Sequence, residues 1–276
     1  MAFLYNIGIQ AYHLAIQLAA PFNEKAALLR KGRKEVWKNA AGIQRGEGRL
    51  VWFHAASLGE FEQGRPVIEA LKAAEPATQI LLTFFSPSGY EIRKNYTGAD
   101  YILYLPGDTQ RNAVRLIEKF RPDAAVFIKY EFWFHYLNEL NKRNIPVYLI
   151  SAIFRPNQPF FKSWGKLHRR MLGCFKELFV QDGQSVELLK SIGIKNVRLT
   201  GDTRFDRVKQ IAENAKQIVK VEQFCDGRPT IVCGSTWKKF SWNISTAIRT
   251  VINGLSSLTK SGKITSKRFW TNAGRR

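Results

Sequence analysis

The chain is poor in sulfur and in acid. Its 276 residues include three cysteines and two methionines, and 22 carboxylates against 43 Lys and Arg. Cys174, Cys225 and Cys233 have neither the close spacing of a metal site nor that of a redox pair. An odd, sparse set excludes a disulfide framework and suits a reducing compartment, with the thiols acting as small buried hydrophobes. No cluster of His, Cys and acidic residues has metal-ligand spacing, so neither a metal nor a cofactor is expected. The phosphate-binding patterns G-x-G-x-x-G and G-x-x-x-x-G-K-[ST] are missing, which argues against a nucleotide site of those kinds. Helix-turn-helix, zinc and RNP-type motifs are missing too, and no specific nucleic-acid partner is expected. No basic stretch precedes the apolar N-terminus, which argues against a secretory signal.

Positive charge is what the chain has in excess. A net charge of +21 implies anionic partners. It is unevenly spread: residues 238–276 hold nine Lys and Arg and no acid, so 21 minus 9 leaves +12 elsewhere. The length allows two domains or one large α/β domain.

Residues 1–22 are mostly apolar, and Asn6, Gln10, His13 and Gln17 are spaced to share one face of a helix. Such a segment is a poor clean membrane span and better fits a helix lying in the membrane interface. Lys25, Arg30, Lys31, Arg33, Lys34 and Lys38 follow, a flank that attracts acidic lipid on the cytoplasmic side.

From Arg49 strand and helix alternate. Apolar runs mark strands over 50–54, 79–85, 100–105, 123–129, 146–151, 177–181 and 197–200. Helical patterns lie near 60–74, 88–95, 109–120, 132–143, 160–173 and 183–192. Runs such as Ala124-Ala-Val-Phe-Ile128 are continuous rather than alternating, so the fold class is α/β, a parallel sheet covered on both faces. Asp108 is placed to cap the 109–120 helix, and Gly193 to close the one over 183–192. A polar helical stretch, 206–222, and a turn-rich linker lead to Thr230-Ile-Val-Cys-Gly-Ser-Thr236, which reads as a new strand and turn. After Trp237 the alternation stops. The 39 residues left are too few for a second Rossmann-like half. The loss of acids and of periodicity favours a reading-frame shift near Lys238 over a basic extension.

Val51–Glu60 reads as a buried strand, a tight turn and a helix start with a carboxylate in its first turn. Ser57 and Glu60 fit a capping box, whose Glu closes the helix N-terminus. A general base at the mouth of the sheet is the other reading, although a helix N-terminus lowers a carboxylate's pKa. Ser88 and Glu91 form a second candidate capping box, and Ser86-Pro-Ser-Gly89 a weak anion site. Glu131 sits between aromatics after the fourth strand, as a site carboxylate or as the partner of a nearby Arg or Lys. His54 has two readings, a ligand or site residue and, favoured, a hydrogen-bonded, half-buried histidine; His13, His135 and His168 read as surface or core residues.

Five motifs in order carry a resemblance: His54-Ala-Ala-Ser-Leu-Gly-Glu-Phe61, Ser86-Pro-Ser-Gly89, Lys129-Tyr-Glu-Phe-Trp133, Gly201-Asp-Thr-Arg-Phe-Asp206 and Gly234-Ser-Thr-Trp237. Up to about Trp237 the chain resembles the amino-terminal half of the 3-deoxy-D-manno-octulosonic acid (Kdo) transferases of lipopolysaccharide assembly. The resemblance implies a GT-B glycosyltransferase with two Rossmann-like domains, the second incomplete here. It divides the chain into a membrane-associated helix (1–22), an acceptor-binding domain (23–205), a linker with the start of a donor-binding domain (206–237) and an aberrant basic tail (238–276). It implies CMP-Kdo as donor, the anionic lipid A precursor (lipid IVA) as acceptor, no metal, and a place on the cytoplasmic face of the inner membrane. Glu60 matches the family's catalytic base and Glu131 a second carboxylate. Ser57, Gly59, Ser88, Gly89, Ser235 and Thr236 are the other expected substrate-binding positions. With most donor contacts expected from the incomplete domain, the chain is expected to bind donor poorly and to transfer little or no sugar. The alternative from another class is a basic, non-enzymatic protein that binds membrane or nucleic acid.

Overall fold

The structure, a computed structural model, describes residues 2–213 together with 219 and 223. Seven strands form one parallel sheet: β1 (Leu50–Ala55), β2 (Gln79–Phe84), β3 (Tyr101–Tyr104), β4 (Ala124–Ile128), β5 (Val147–Ala152), β6 (Glu177–Val180) and β7 (Val197–Leu199). Every predicted strand is present, within one residue at either end. Continuous apolar runs form strands here because both faces of the sheet are covered. Along β1, Leu50 and Trp52 point into one core with Leu116, Phe127 and Tyr136, while Val51, Phe53 and Ala55 point into the other with Phe61 and Ile68.

The order is β3-β2-β1-β4-β5-β6-β7. The chain winds outward from β1, then returns to its other side with β4, the Rossmann-like arrangement. The crevice outside the carboxyl ends of β1 and β4 is therefore the topological switch point, where ligands of such sheets bind.

Among the described residues the helices are α1 (Ala2–Ala19), α2 (Glu24–Ala41), α3 (Leu58–Ala74), α4 (Pro87–Arg93), α5 (Gln110–Phe120), α6 (Phe134–Lys142), α7 (Lys166–Leu172), α8 (Gly183–Ser191) and α9 (Thr203–Glu213). The cationic stretch after residue 22, read above only as a flank, is the helix α2. Asn23 caps it by accepting from the Ala26 N–H at 3.1 Å, and Leu29, Val36 and Ala40 bury its inner face. The expected 160–173 helix is instead a short 3-10 turn, Pro159–Phe161, followed by α7. The chain turns back at Gly165, where a Cβ would lie 1.9 Å from the Pro159 carbonyl oxygen. Gly193 does close α8: it has φ +86, and the N–H groups of Gly193 and Ile194 bond to Lys190 and Leu189.

Asp108 caps a different helix from the one expected. Thr109 caps α5, accepting from the Asn112 N–H at 3.3 Å. Asp108 is buried, and it accepts instead from the N–H groups of His135 and Tyr136, both at 3.1 Å, at the start of α6. It also accepts from the Tyr5 hydroxyl of α1.

That bond, with a 2.6 Å contact between Asn6 Oδ1 and His135 Nε2, docks α1 on the domain. Tyr5, Ile9, His13 and Ile16 form its partly buried face. Of the expected polar stripe, Asn6 and His13 engage the domain, while Gln10 and Gln17 flank the contact and stay exposed. Phe3, Leu4, Ile7, Leu14 and Leu18 project on the opposite side and are all exposed. No described helix is long and apolar enough to cross a membrane. The expected second-domain start, with Ser235 and Thr236, and the 238–276 tail lie outside the described residues.

Candidate active site

Both candidate carboxylates stand at the switch point. Glu60 follows β1, in the first turn of α3, and Glu131 follows β4, the strand paired with β1 through His54–Phe127. The capping box at Ser57 is only half formed: Ser57 is the N-cap residue, but its side chain makes no cap bond. Glu60 Oε2 instead accepts from the N–H of Ala56, one residue earlier, at 2.6 Å.

The pKa of Glu60 is raised to about 7, not lowered as its place at a helix start suggests. Burial is the main cause and the charge of Glu131 the next, and the Ala56 N–H and Lys129 offset them only in part. A carboxyl of this kind is ready to take a proton near neutral pH.

Glu131 is held on one oxygen from two directions. Trp133 Nε1 donates to Oε2 at 2.7 Å, and His54 Nε2 lies 3.0 Å from the same atom. His54 is wholly buried on β1, and its Nδ1 is 2.9 Å from the Thr83 hydroxyl. The imidazole thus ties β2 to Glu131 across β1. The backbone here is unusual as well: Lys129 and Ser151, at the ends of β4 and β5, have φ of +70 and +55. Non-glycine residues in the left-handed region cost about 1 kcal/mol or more and gather at functional sites. A cavity of about 480 Å³ opens beside Glu131, between Tyr5 of α1, Phe85, Trp133 and His168 of α7.

The sequence of residues 24–207 matches the family described as 3-deoxy-D-manno-octulosonic-acid transferase (kdotransferase). The chain belongs to this family. A curated Kdo transferase from Chlamydia trachomatis serovar A is 26% identical over 213 residues, 74% of this chain and 49% of the relative. Another, from Aquifex aeolicus, is 29% identical over 174 residues, 62% of this chain and 43% of the relative. The chain spans about half the length of the curated relatives it matches. Among solved structures, a UDP-N-acetylglucosamine 2-epimerase is similar with a TM-score of 0.48 and 17% identity, over 64% of this chain and 55% of that one.

Within this Kdo transferase domain the expected site residues do not share one role. Glu60, Ser57 and Gly59 lie together at the α3 start, and a Cβ on Gly59 would meet nothing within 4 Å, so a ligand can approach its backbone. Ser88 and Glu91 form no capping box. Ser86 caps α4, its Oγ taking the Ser88 N–H at 3.2 Å, while Glu91 accepts from Tyr104 and pairs with Lys94. Gly89 is buried against Phe84, whose ring would lie 2.3 Å from an added Cβ. Trp133, Lys129 and His168 are at the site without being among the expected site residues, and His54, for which the hydrogen-bonded structural reading is favoured above, holds a site carboxylate as well. Trp133 and His54 were inside the quoted motifs, but nothing in their spacing announced that both would meet one carboxylate oxygen.

Proposed function

We propose that this chain carries the acceptor-side half of an inverting GT-B glycosyltransferase, one that moves Kdo from CMP-Kdo to the lipid A precursor, lipid IVA. Residues 23–205 are the acceptor-binding domain, 206–237 lead into the donor-binding domain, and 238–276 form a basic tail. The observation that carries this reading is Glu60: a carboxyl with a pKa of about 7 at the switch point of the sheet. As the acceptor hydroxyl attacks the anomeric carbon of the donor, its proton passes to Glu60. The bond from that carbon to the CMP phosphate breaks on the opposite face, CMP leaves with the electron pair, and the configuration inverts. Glu131, fixed by His54 and Trp133, orients the acceptor and keeps Glu60 basic through its charge. Ser57, Gly59, Ser88, Gly89, Ser235 and Thr236 are the remaining positions assigned to substrate.

Binding tests the acceptor assignment independently of the donor. The chain is expected to bind phosphatidylcholine vesicles doped with lipid IVA more tightly than vesicles given equal charge by phosphatidylglycerol. Equal binding to both would overturn the assignment.

Residues 1–22 are proposed to lie in the cytoplasmic face of the inner membrane. The outward row of Phe3, Leu4, Ile7, Leu14 and Leu18 supports this, as do the exposed cations Lys25, Arg30, Lys31 and Lys34 on the adjoining helix α2. Changing Leu4 and Leu18 together to Gln is expected to weaken vesicle binding roughly 10-fold or more, since burying an exposed Leu side chain even in part contributes about 1 kcal/mol. Neither side chain packs on the domain, so the thermal midpoint is expected to stay unchanged. A drop in the midpoint without a change in co-sedimentation would assign the row to folding instead.

A further inference from the structure

Lys129 follows β4 directly, and its own N–H still donates to the Ile150 carbonyl of β5 at 2.9 Å. On the other side β4 pairs with β1, Phe127 level with His54. Two residues further on, the same register sets Lys129 level with Ala56, whose N–H holds Glu60. Its backbone is in the left-handed region, φ +70, which a lysine adopts only at a cost. The side chain is half-buried, yet among the described residues its ammonium has neither an ion pair nor a hydrogen bond. It stands 5.5 Å from the ring of its own neighbour, Tyr130. Arg155, in the loop after β5, is by contrast committed: it pairs with Asp182 at 2.8 Å and donates to the Phe154 carbonyl at 3.2 Å. For proton transfer alone Lys129 is a handicap, because its charge opposes the burial and the Glu131 charge that raise the pKa of Glu60. An unpaired, half-buried ammonium on a strained backbone, set against the base, fits a site that receives an anion.

The direction of the reaction selects the anion. In an inverting displacement the attacking hydroxyl and the leaving phosphate lie on opposite faces of the anomeric carbon, and the base stands beside the hydroxyl. A cation beside the base is therefore on the far side from the phosphate. A 2-ulosonic acid brings a second charge, its carboxylate, which is bonded to the anomeric carbon itself and so reaches the side of the base. That carboxylate has to approach Glu60 and Glu131, and like charges in a crevice shielded from water repel strongly. One ammonium at this level offsets the repulsion. A donor sugar without a carboxylate gains nothing from it.

We propose that Lys129 is a specificity residue for the donor sugar: its ammonium holds the carboxylate bonded to the anomeric carbon of a sugar acid, against the repulsion of Glu60 and Glu131. This rests on the transfer reaction read above, and it gives the acceptor-side domain one donor contact of its own.

The test uses the full chain and compares, by saturation-transfer NMR, the binding of free Kdo with that of its C1 amide, which keeps the ring and hydroxyls and loses the charge. Wild type is expected to bind the acid at least about fivefold more tightly than the amide, a comparison that needs no variant. Lys129→Gln is expected to bring the two within about twofold of each other. Lys129→Arg, which keeps the charge, is expected to retain most of the preference. Lys195→Gln removes an exposed charge just before β7, at the opposite end of the parallel sheet, and is expected to change nothing. Wild type that binds both compounds alike, or neither, overturns the proposal. So does a full preference in a folded Lys129→Gln, and so does an equal loss in Lys195→Gln, which marks net charge alone. The vesicle comparison above keeps the two readings apart. A chain that prefers lipid IVA over phosphatidylglycerol but does not distinguish acid from amide retains the acceptor-side function and loses only this site. A chain with the acid preference and no lipid preference retains Lys129 as a sugar-acid contact and loses the acceptor assignment.

Discussion

Glu60→Gln is expected to lower the single-turnover rate of Kdo transfer by at least about 100-fold, the usual contribution of a positioned general base. The assay places protein in excess over labelled CMP-Kdo, so that slow transfer is still read. Lipid binding is expected to stay close to wild type, because Gln keeps the shape and its carbonyl still accepts from Ala56. In the wild type the rate should climb as pH rises through about 7, where Glu60 ionises, and level off above. Stability runs the other way. The folded pKa lies above the ordinary carboxyl value of 4.5, so protonation favours the folded state; this contribution is complete below the unfolded pKa and is lost as pH rises through about 7. At pH 8 the Gln variant is therefore expected to be the more stable protein, by on the order of 2 kcal/mol after discounting for partial solvent screening. A variant that transfers as fast as wild type would remove Glu60 from the chemistry. A rate profile flat across neutral pH would do the same.

The second large effect belongs to a residue outside the site. Asp108→Ala strips the acceptors from two N–H groups at the start of α6 and from the Tyr5 hydroxyl, in a buried place that water does not reach. Losing a charged acceptor and leaving buried donors unpaired costs about 3–5 kcal/mol. For a domain of this size that lowers the thermal midpoint by roughly 10 °C. Asp108→Asn, which keeps one acceptor oxygen, should lose about half as much. Limited proteolysis should cut between α1 and α2 sooner in the Ala variant, since α1 has lost its tether. An unchanged midpoint would show that the bonds to Asp108 contribute nothing net.

What the amino-acid order reveals here follows from how local each signal is. The strands are legible because a parallel sheet covered on both faces needs runs like Leu81–Phe84 and Ala124–Ile128, and few other structures do. Gly193 acts on its own helix, so its place just after the 183–192 pattern is enough to show where that helix closes. Asp108 is not legible in this way, because its partners, His135 and Tyr136, lie a helix and a strand further along the chain. The helix α2 leaves little signal in the sequence because its inner face is thin, Leu29, Val36 and Ala40 among many charges. At the site, Glu60 and Glu131 are visible as carboxylates after strands. That they face one crevice depends on β4 returning beside β1, and no single stretch of chain encodes that strand order. The pKa of Glu60 was expected in the wrong direction for the same reason: the helix start is local, whereas burial and Glu131 come from the rest of the fold.

Asp108 also joins two things usually treated apart. One carboxylate holds the hydroxyl of Tyr5, on the helix proposed to float in the lipid, and the first N–H groups of the helix that follows Glu131 and Trp133. On that placement the height of Glu60 and Glu131 above the acyl chains would be set by a rigid strut, not by a flexible linker. On the proposed membrane placement, an acceptor would not need to be lifted from the leaflet; it would only have to drift laterally until its headgroup met the crevice. The concentration such an enzyme senses is the number of acceptor molecules per unit area of leaflet, and diluting them with other lipids should slow it as surely as removing them.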